Sequence, residues 1–127
     1  MLKQKITLKH IAKELDDDVM IYDFHTSLGI FHGTMRDLSK ALYHFEEALD
    51  FARKDGLEYL VPLCLTNLGM VYSRMEKPEK ALELQLEALK YEEEAEAKDE
   101  SSILHTLASI GETYLALDDT KNAIIYY

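Results

Sequence analysis

NLGMVYSRMEKPEKALELQLEA, residues 67–88, carries the reading that decides the fold. Asn67-Leu68-Gly69 opens it, Tyr72 follows three residues after the glycine, and Lys80-Ala81 and Ala88 close it. A glycine inside a helical pattern costs about 1 kcal/mol relative to alanine, so close helix approach has to offset it. Ala81 is the small residue expected to face Gly69 on the following helix, with the Tyr72 ring filling the space beside them. Lys77-Pro78 marks the turn between the two helices, since proline is tolerated in a first helical turn.

Working outward, the same pattern recurs. Leu28-Gly29, Leu68-Gly69 and Ile110-Gly111 stand at spacings of 40 and 42 residues. Three residues after each glycine come His32, Tyr72 and Tyr114, and nine further on come Ala41, Ala81 and Ala123, without gaps. Four residues after the alanines stand Phe45, Gln85 and Tyr127, and seven after the first two stand Ala48 and Ala88. Asp37 and Asp119-Thr120 begin the second helix of their pairs, aspartate being a good N-cap. The spacing predicts about seven helices, near residues 3–15, 19–34, 37–54, 58–75, 78–97, 101–117 and 119–127. The first has Leu8, Ile11, Ala12 and Leu15 on one face.

These residues resemble the tetratricopeptide repeat family, whose pattern sets Leu-Gly, Tyr, Ala, Phe and Ala at these offsets. Two departures stand out. His25, Leu65 and Leu107 occupy the early Trp position, and Arg36, Glu76 and Asp118 replace the glycine often found at the internal turn. The family's usual period is 34 residues. Because the Gly-to-Ala distance is kept, the extra residues fall between repeats, as in the longer repeats of kinesin light chains, cell-polarity scaffolds and bacterial regulators. The resemblance implies an all-α, right-handed superhelical array of antiparallel helix hairpins. Residues 1–18 are an amphipathic leading helix and an acidic turn, and residues 19–127 are the array. Its repeats span about 22–61, 62–103 and 104–127, the last cut short, which predicts a longer native chain.

Composition bounds the function. The 127 residues carry a net charge of −10 and 47% hydrophobic residues, a globular balance. Residues 1–15 hold four lysines against Glu14, a balance of +3 that leaves −13 on the rest. An acidic body repels phosphate backbones and anionic lipid, so neither nucleic acid nor membrane is expected as a partner. Cys64 is the single cysteine, which excludes an internal disulfide and suits the cytoplasm.

Family groove offsets imply a partner-binding surface on the first helix of each repeat. They select Asp23, Thr26, Ser27 and Ile30 in the first repeat. The second contributes Leu63, Thr66, Asn67, Met70 and Arg74, and the third His105, Ala108, Ser109 and Glu112. Asn67 offers both donor and acceptor to an extended peptide backbone; the competing account is a bond within its own helix region. Arg74 reads either as a ligand for a partner's carboxylate or as a solvated surface residue, and Met70 as an apolar contact or as core. The carboxylate clamp of some relatives is absent, because its positions hold Thr26, Ile30, Ser109 and Glu112.

No nucleophile elbow, phosphate loop or His-Glu-x-x-His helix is present, so no enzyme activity and no cofactor are expected. His25, His32 and His44 are geometrically conceivable as a metal site, but two occupy ring-packing offsets of the repeat. Glu92, Glu93, Glu94, Glu96, Asp99 and Glu100 lack the alternation of a calcium loop and read as a solvated helix end. Cys64 reads as core, and Tyr126-Tyr127 as repeat packing left open. The resulting expectation is a scaffold that binds a protein or peptide, with a homodimer through the open C-terminal end. The alternative is the sensory, regulatory and dimerising part of a larger bacterial signalling protein such as a cyclase, kinase or peptide-responsive regulator.

Overall fold

The computed structural model describes the backbone of residues 2–126 and the side chains of residue 17 and residues 19–126. Its elements are α1 (Leu2–Thr34), α2 (Leu38–Lys54), a 3-10 turn (Glu58–Leu60), α3 (Val61–Arg74), α4 (Pro78–Glu94), α5 (Glu100–Ala116) and α6 (Thr120–Tyr126). Each α-helix packs on the next in chain order, the arrangement of a helical-hairpin solenoid.

Six α-helices stand where about seven were expected, because α1 runs unbroken through the acidic stretch at residues 16–18. Three aspartates lower helix propensity by only a few tenths of a kcal/mol each, and neither glycine nor proline interrupts the phase there. The proposed apolar face at Leu8, Ile11, Ala12 and Leu15 lies outside the described side chains, as does Tyr127. Helix α4 stops at Glu94, short of residue 97, where Ala95 turns extended with ψ 140°.

The hairpin turns repeat one geometry. Arg36, Glu76 and Asp118 adopt left-handed φ values of 61°, 61° and 58°, at the turn positions singled out above. In each, the next residue's N–H reaches back five residues: Asp37 to the His32 carbonyl, Lys77 to Tyr72 and Asp119 to Tyr114. This is the Schellman closure of a helix C-terminus. The following helix then starts at once, with Asp37 Oδ1 accepting from Lys40 N, Asp119 Oδ1 from Asn122 N, and Pro78 in the first turn of α4.

Burial follows the helical period. Ala41, Phe45, Ala48, Leu49 and Ala52 of α2 are buried against a core that includes Tyr22, Cys64, Leu65, Leu68 and Val71. Cys64 is therefore core, and burial pushes its thiol up to about 11, the opposite of an activated nucleophile. The glycine contacts differ from expectation in one respect. The nearest neighbour of Gly29 is the Phe45 ring, and Gly33, one turn on, approaches Ala41. Gly69 lies against Gln85 and the Ala81 carbonyl.

Candidate partner-binding groove

Successive first helices of the hairpins lie two apart in the array, so α3 and α5 present their outward residues to the same side, with α4 behind them. Thr66, Asn67, Met70 and Arg74 of α3 and His105, Ser109 and Glu112 of α5 line one cavity of about 420 Å³. Seven of the groove positions selected from the sequence thus converge. Ser73, Gln85 and Thr113 complete the lining.

The remaining positions do not join it. Leu63 faces a cavity of about 670 Å³ near the start of α3, with Tyr59, Tyr91, Glu92 and Ser102. Asp23 and Ser27 border a shallow apolar depression with Met20, Phe24 and Phe31. Ile30 is exposed, Ala108 is half-buried, and the Thr26 hydroxyl is sealed without a partner among the described residues.

The groove is held by side-chain bonds. Arg74 Nη1 donates to the Gly33 carbonyl at 3.2 Å, and its Nη2 lies 3.9 Å from Met70 Sδ. This guanidinium sits at the C-terminal end of α1, where a cation complements the helix dipole. Arg74 is thus a tie between the first and second repeats, which neither sequence reading of it anticipated. Thr113 Oγ1 donates to Gln85 Oε1 at 2.7 Å and also contacts the Ser109 carbonyl at 2.9 Å. Ser109 Oγ donates to the His105 carbonyl at 3.0 Å. Sequence reasoning missed Gln85 as a lining residue, although a carboxamide at the repeat position held elsewhere by Phe45 and Tyr127 was the available signal.

The acidic stretch needs a correction. Glu92 is buried, with Oε2 accepting from Ser102 Oγ at 2.5 Å and Oε1 from Thr106 Oγ1 at 2.6 Å; only the rest of the run is solvated. The Ser102 and Thr106 hydroxyls stand one turn apart on α5 and grip both carboxylate oxygens, which satisfies the charge without a cation.

The three histidines adjoin one another, with His32 stacked on His44 and His25 tilted by 33° against it. His25 Nδ1 lies 3.0 Å from His44 Nδ1, and the His32 and His44 rings are parallel within 5° at 5.5 Å. Burial, then the neighbouring His25 and His32, hold His44 below the usual histidine range, while Glu47 opposes them. Among the described residues, no group of three or more His, Cys, Asp or Glu side chains is placed to hold a metal ion. No described helix is long and apolar enough to cross a membrane.

Three solved structures share the fold. BtubC (BKLC) from P. vanneervenii matches with TM-score 0.78 and 21% identity over 83% of this chain, which spans 43% of that protein. The TPR domain of Arabidopsis FLU matches with TM-score 0.76 and 18% identity, covering 87% of this chain and 91% of that one. The N-terminal domain of stress-induced protein-1 (STI-1) from C. elegans gives 0.69 and 17%, covering 83% and 77%. No curated protein matches. The sequence profile described as tetratricopeptide repeat matches residues 61–127, more than half the chain. With its repeated Gly/Ala pattern, its Schellman-closed hairpins and this match, the chain belongs to the tetratricopeptide repeat family.

Proposed function

We propose that the chain is a non-catalytic interaction module that holds a protein or peptide partner in the groove between α3 and α5. The observation that carries this reading is the convergence of Asn67, Met70, Arg74, His105, Ser109 and Glu112, from two successive repeats, on a single cavity. Such a lining mixes amide, hydroxyl, cationic, anionic and thioether groups, which suits an extended polypeptide with its alternating donors and acceptors. The net charge of −10 disfavours nucleic acid and anionic lipid as occupants, and a free, buried Cys64 suits the reducing cytoplasm. Calorimetry of this chain against the tightest peptide from a random dodecapeptide display library tests the reading. Asn67→Ala and His105→Ala should each weaken binding several-fold; unchanged affinity in both abandons the groove. Arg74→Ala is a poorer probe, because it also releases the Gly33 carbonyl.

A second reading rests on a different surface. Phe24 and Phe31 are 58% and 56% exposed, and Ile124 and Ile125 of α6 are 71% and 68% exposed. One repeat further on, the positions matching Phe24 and Phe31 are Cys64 and Val71, which are buried. Open faces of this kind favour self-association or the dimerising, regulatory role of a larger signalling protein. Sedimentation equilibrium over a hundredfold concentration range tests it; a monomer throughout ends this reading.

A further inference from the structure

Gln85 occupies the repeat position that Phe45 fills in the first hairpin. Both stand four residues after the conserved-offset alanine, both lie against the glycine of the preceding helix, and both are buried, at 4% and 2% exposure. The position calls for an apolar ring, and a carboxamide there is costly unless both its ends are satisfied. One end is: Oε1 accepts from Thr113 Oγ1 at 2.7 Å. The other is not, for Nε2 has no hydrogen-bond partner among the described residues. Nor is it sealed away, since the sealed polar side-chain atoms without partners are Tyr22 Oη and Thr26 Oγ1. Gln85 instead lines the groove cavity beside Asn67.

We infer that Gln85 is a ligand-reading residue, whose Nε2–H donates to a carboxamide carbonyl of the bound polypeptide from the floor of the groove. Thr113 fixes the direction. Its hydroxyl lies 2.7 Å from Oε1, so Nε2 is the end left without a partner among the described residues, on a side chain that lines the cavity. A neutral carbonyl fits better than a carboxylate, because Glu112 shares the lining and the Arg74 guanidinium is engaged by Gly33. A purely structural role for the amide is weak. Thr113 also contacts the Ser109 carbonyl at 2.9 Å, so it keeps an acceptor when Gln85 is replaced, and an apolar side chain of equal length would fill the same space.

Gln85 can matter to a ligand only if the groove proposed above is the binding site, and the experiment separates the two. The probe is the tightest dodecapeptide from the random display library, measured by calorimetry against the unaltered chain, Gln85→Met and Asn67→Ala. Gln85→Met should keep the melting midpoint within a few degrees and weaken binding by about fivefold to tenfold, the loss of one buried hydrogen bond. In the unaltered chain, the Gln85 Nε2 proton resonances should shift and gain protection from solvent exchange when the peptide binds. Replacing Asn or Gln of the peptide with Ala identifies the acceptor: the Gln85→Met effect persists for a main-chain carbonyl and vanishes for a side-chain amide. If Asn67→Ala weakens binding while Gln85→Met does not and the Nε2 resonances stay put, the inference on Gln85 is overturned and the groove stands. Unchanged affinity in both variants overturns the groove and the inference together.

Discussion

The Phe45 ring lies so close to Gly29 that a methyl group added there would meet ring carbons at 2.6–2.7 Å. A rigid aromatic cannot yield as a flexible chain can, so Gly29→Ala should destabilise the array by about 1–3 kcal/mol despite the alanine's better helix propensity. At Gly69 the nearest neighbour is Gln85 Cγ at 3.1 Å, an aliphatic carbon able to give way. There the propensity gain of about 1 kcal/mol should roughly cancel the crowding. Urea unfolding of the two variants checks the ranking, and equal losses would contradict it.

The left-handed turns make a second prediction. Glu76 at φ 61° occupies a region where a side chain costs about 1 kcal/mol and glycine costs little. Glu76→Gly should raise stability by about 0.5–1 kcal/mol, and Glu76→Val should lower it. Thermal unfolding monitored by circular dichroism measures both, and a stabilised valine variant would refute the account.

Glu92 joins α4 to α5 through the Ser102 and Thr106 hydroxyls. Truncation in Glu92→Ala removes the acceptor of the buried Thr106 hydroxyl and should cost about 1–3 kcal/mol. Glu92→Gln, which keeps one carbonyl oxygen, should cost less. Hydrogen exchange ought to place the loss in α4–α5 and leave α1–α2 untouched.

Acid should loosen the first hairpin. His44 is held below its ordinary 6.5 by burial and by His25 and His32 on α1, with Glu47 on its own helix acting against them. A folded-state value lower than the unfolded one means that the unfolded chain takes up the proton first. The contribution is therefore fully present above pH 6.5 and is lost as pH falls through the folded value. Amide exchange in α1 and α2, measured relative to its intrinsic pH dependence, should accelerate as pH falls below 6.5, and His44→Gln should flatten that dependence. An unchanged profile in the variant would assign the acid response elsewhere.

Much of the fold was legible because its signals are local. The Gly29/Gly69/Gly111 phase, the small residues Ala41, Ala81 and Ala123, and the turn residues Arg36, Glu76 and Asp118 depend on helical spacing and on backbone closure within six residues. Asn67, Met70, His105 and Ser109, which the family's groove offsets imply, line one cavity, because those offsets fall on one side of α3 and α5. The break expected near residues 16–18 failed because acidic residues alone do not stop a helix. Glu92 was misread because its solvation depends on two hydroxyls of the next helix, which its own neighbours in sequence do not announce.

The sequence by itself determined the helix pairs, their period, their turns and the family. Tertiary structure alone decided that Arg74 ties to Gly33 across 41 residues, that Thr113 orients Gln85 across 28, and that Glu92 is buried between helices. Helix phase is set by hydrogen bonds four residues apart, whereas these contacts depend on the crossing angle and separation of packed helices, which no local spacing encodes.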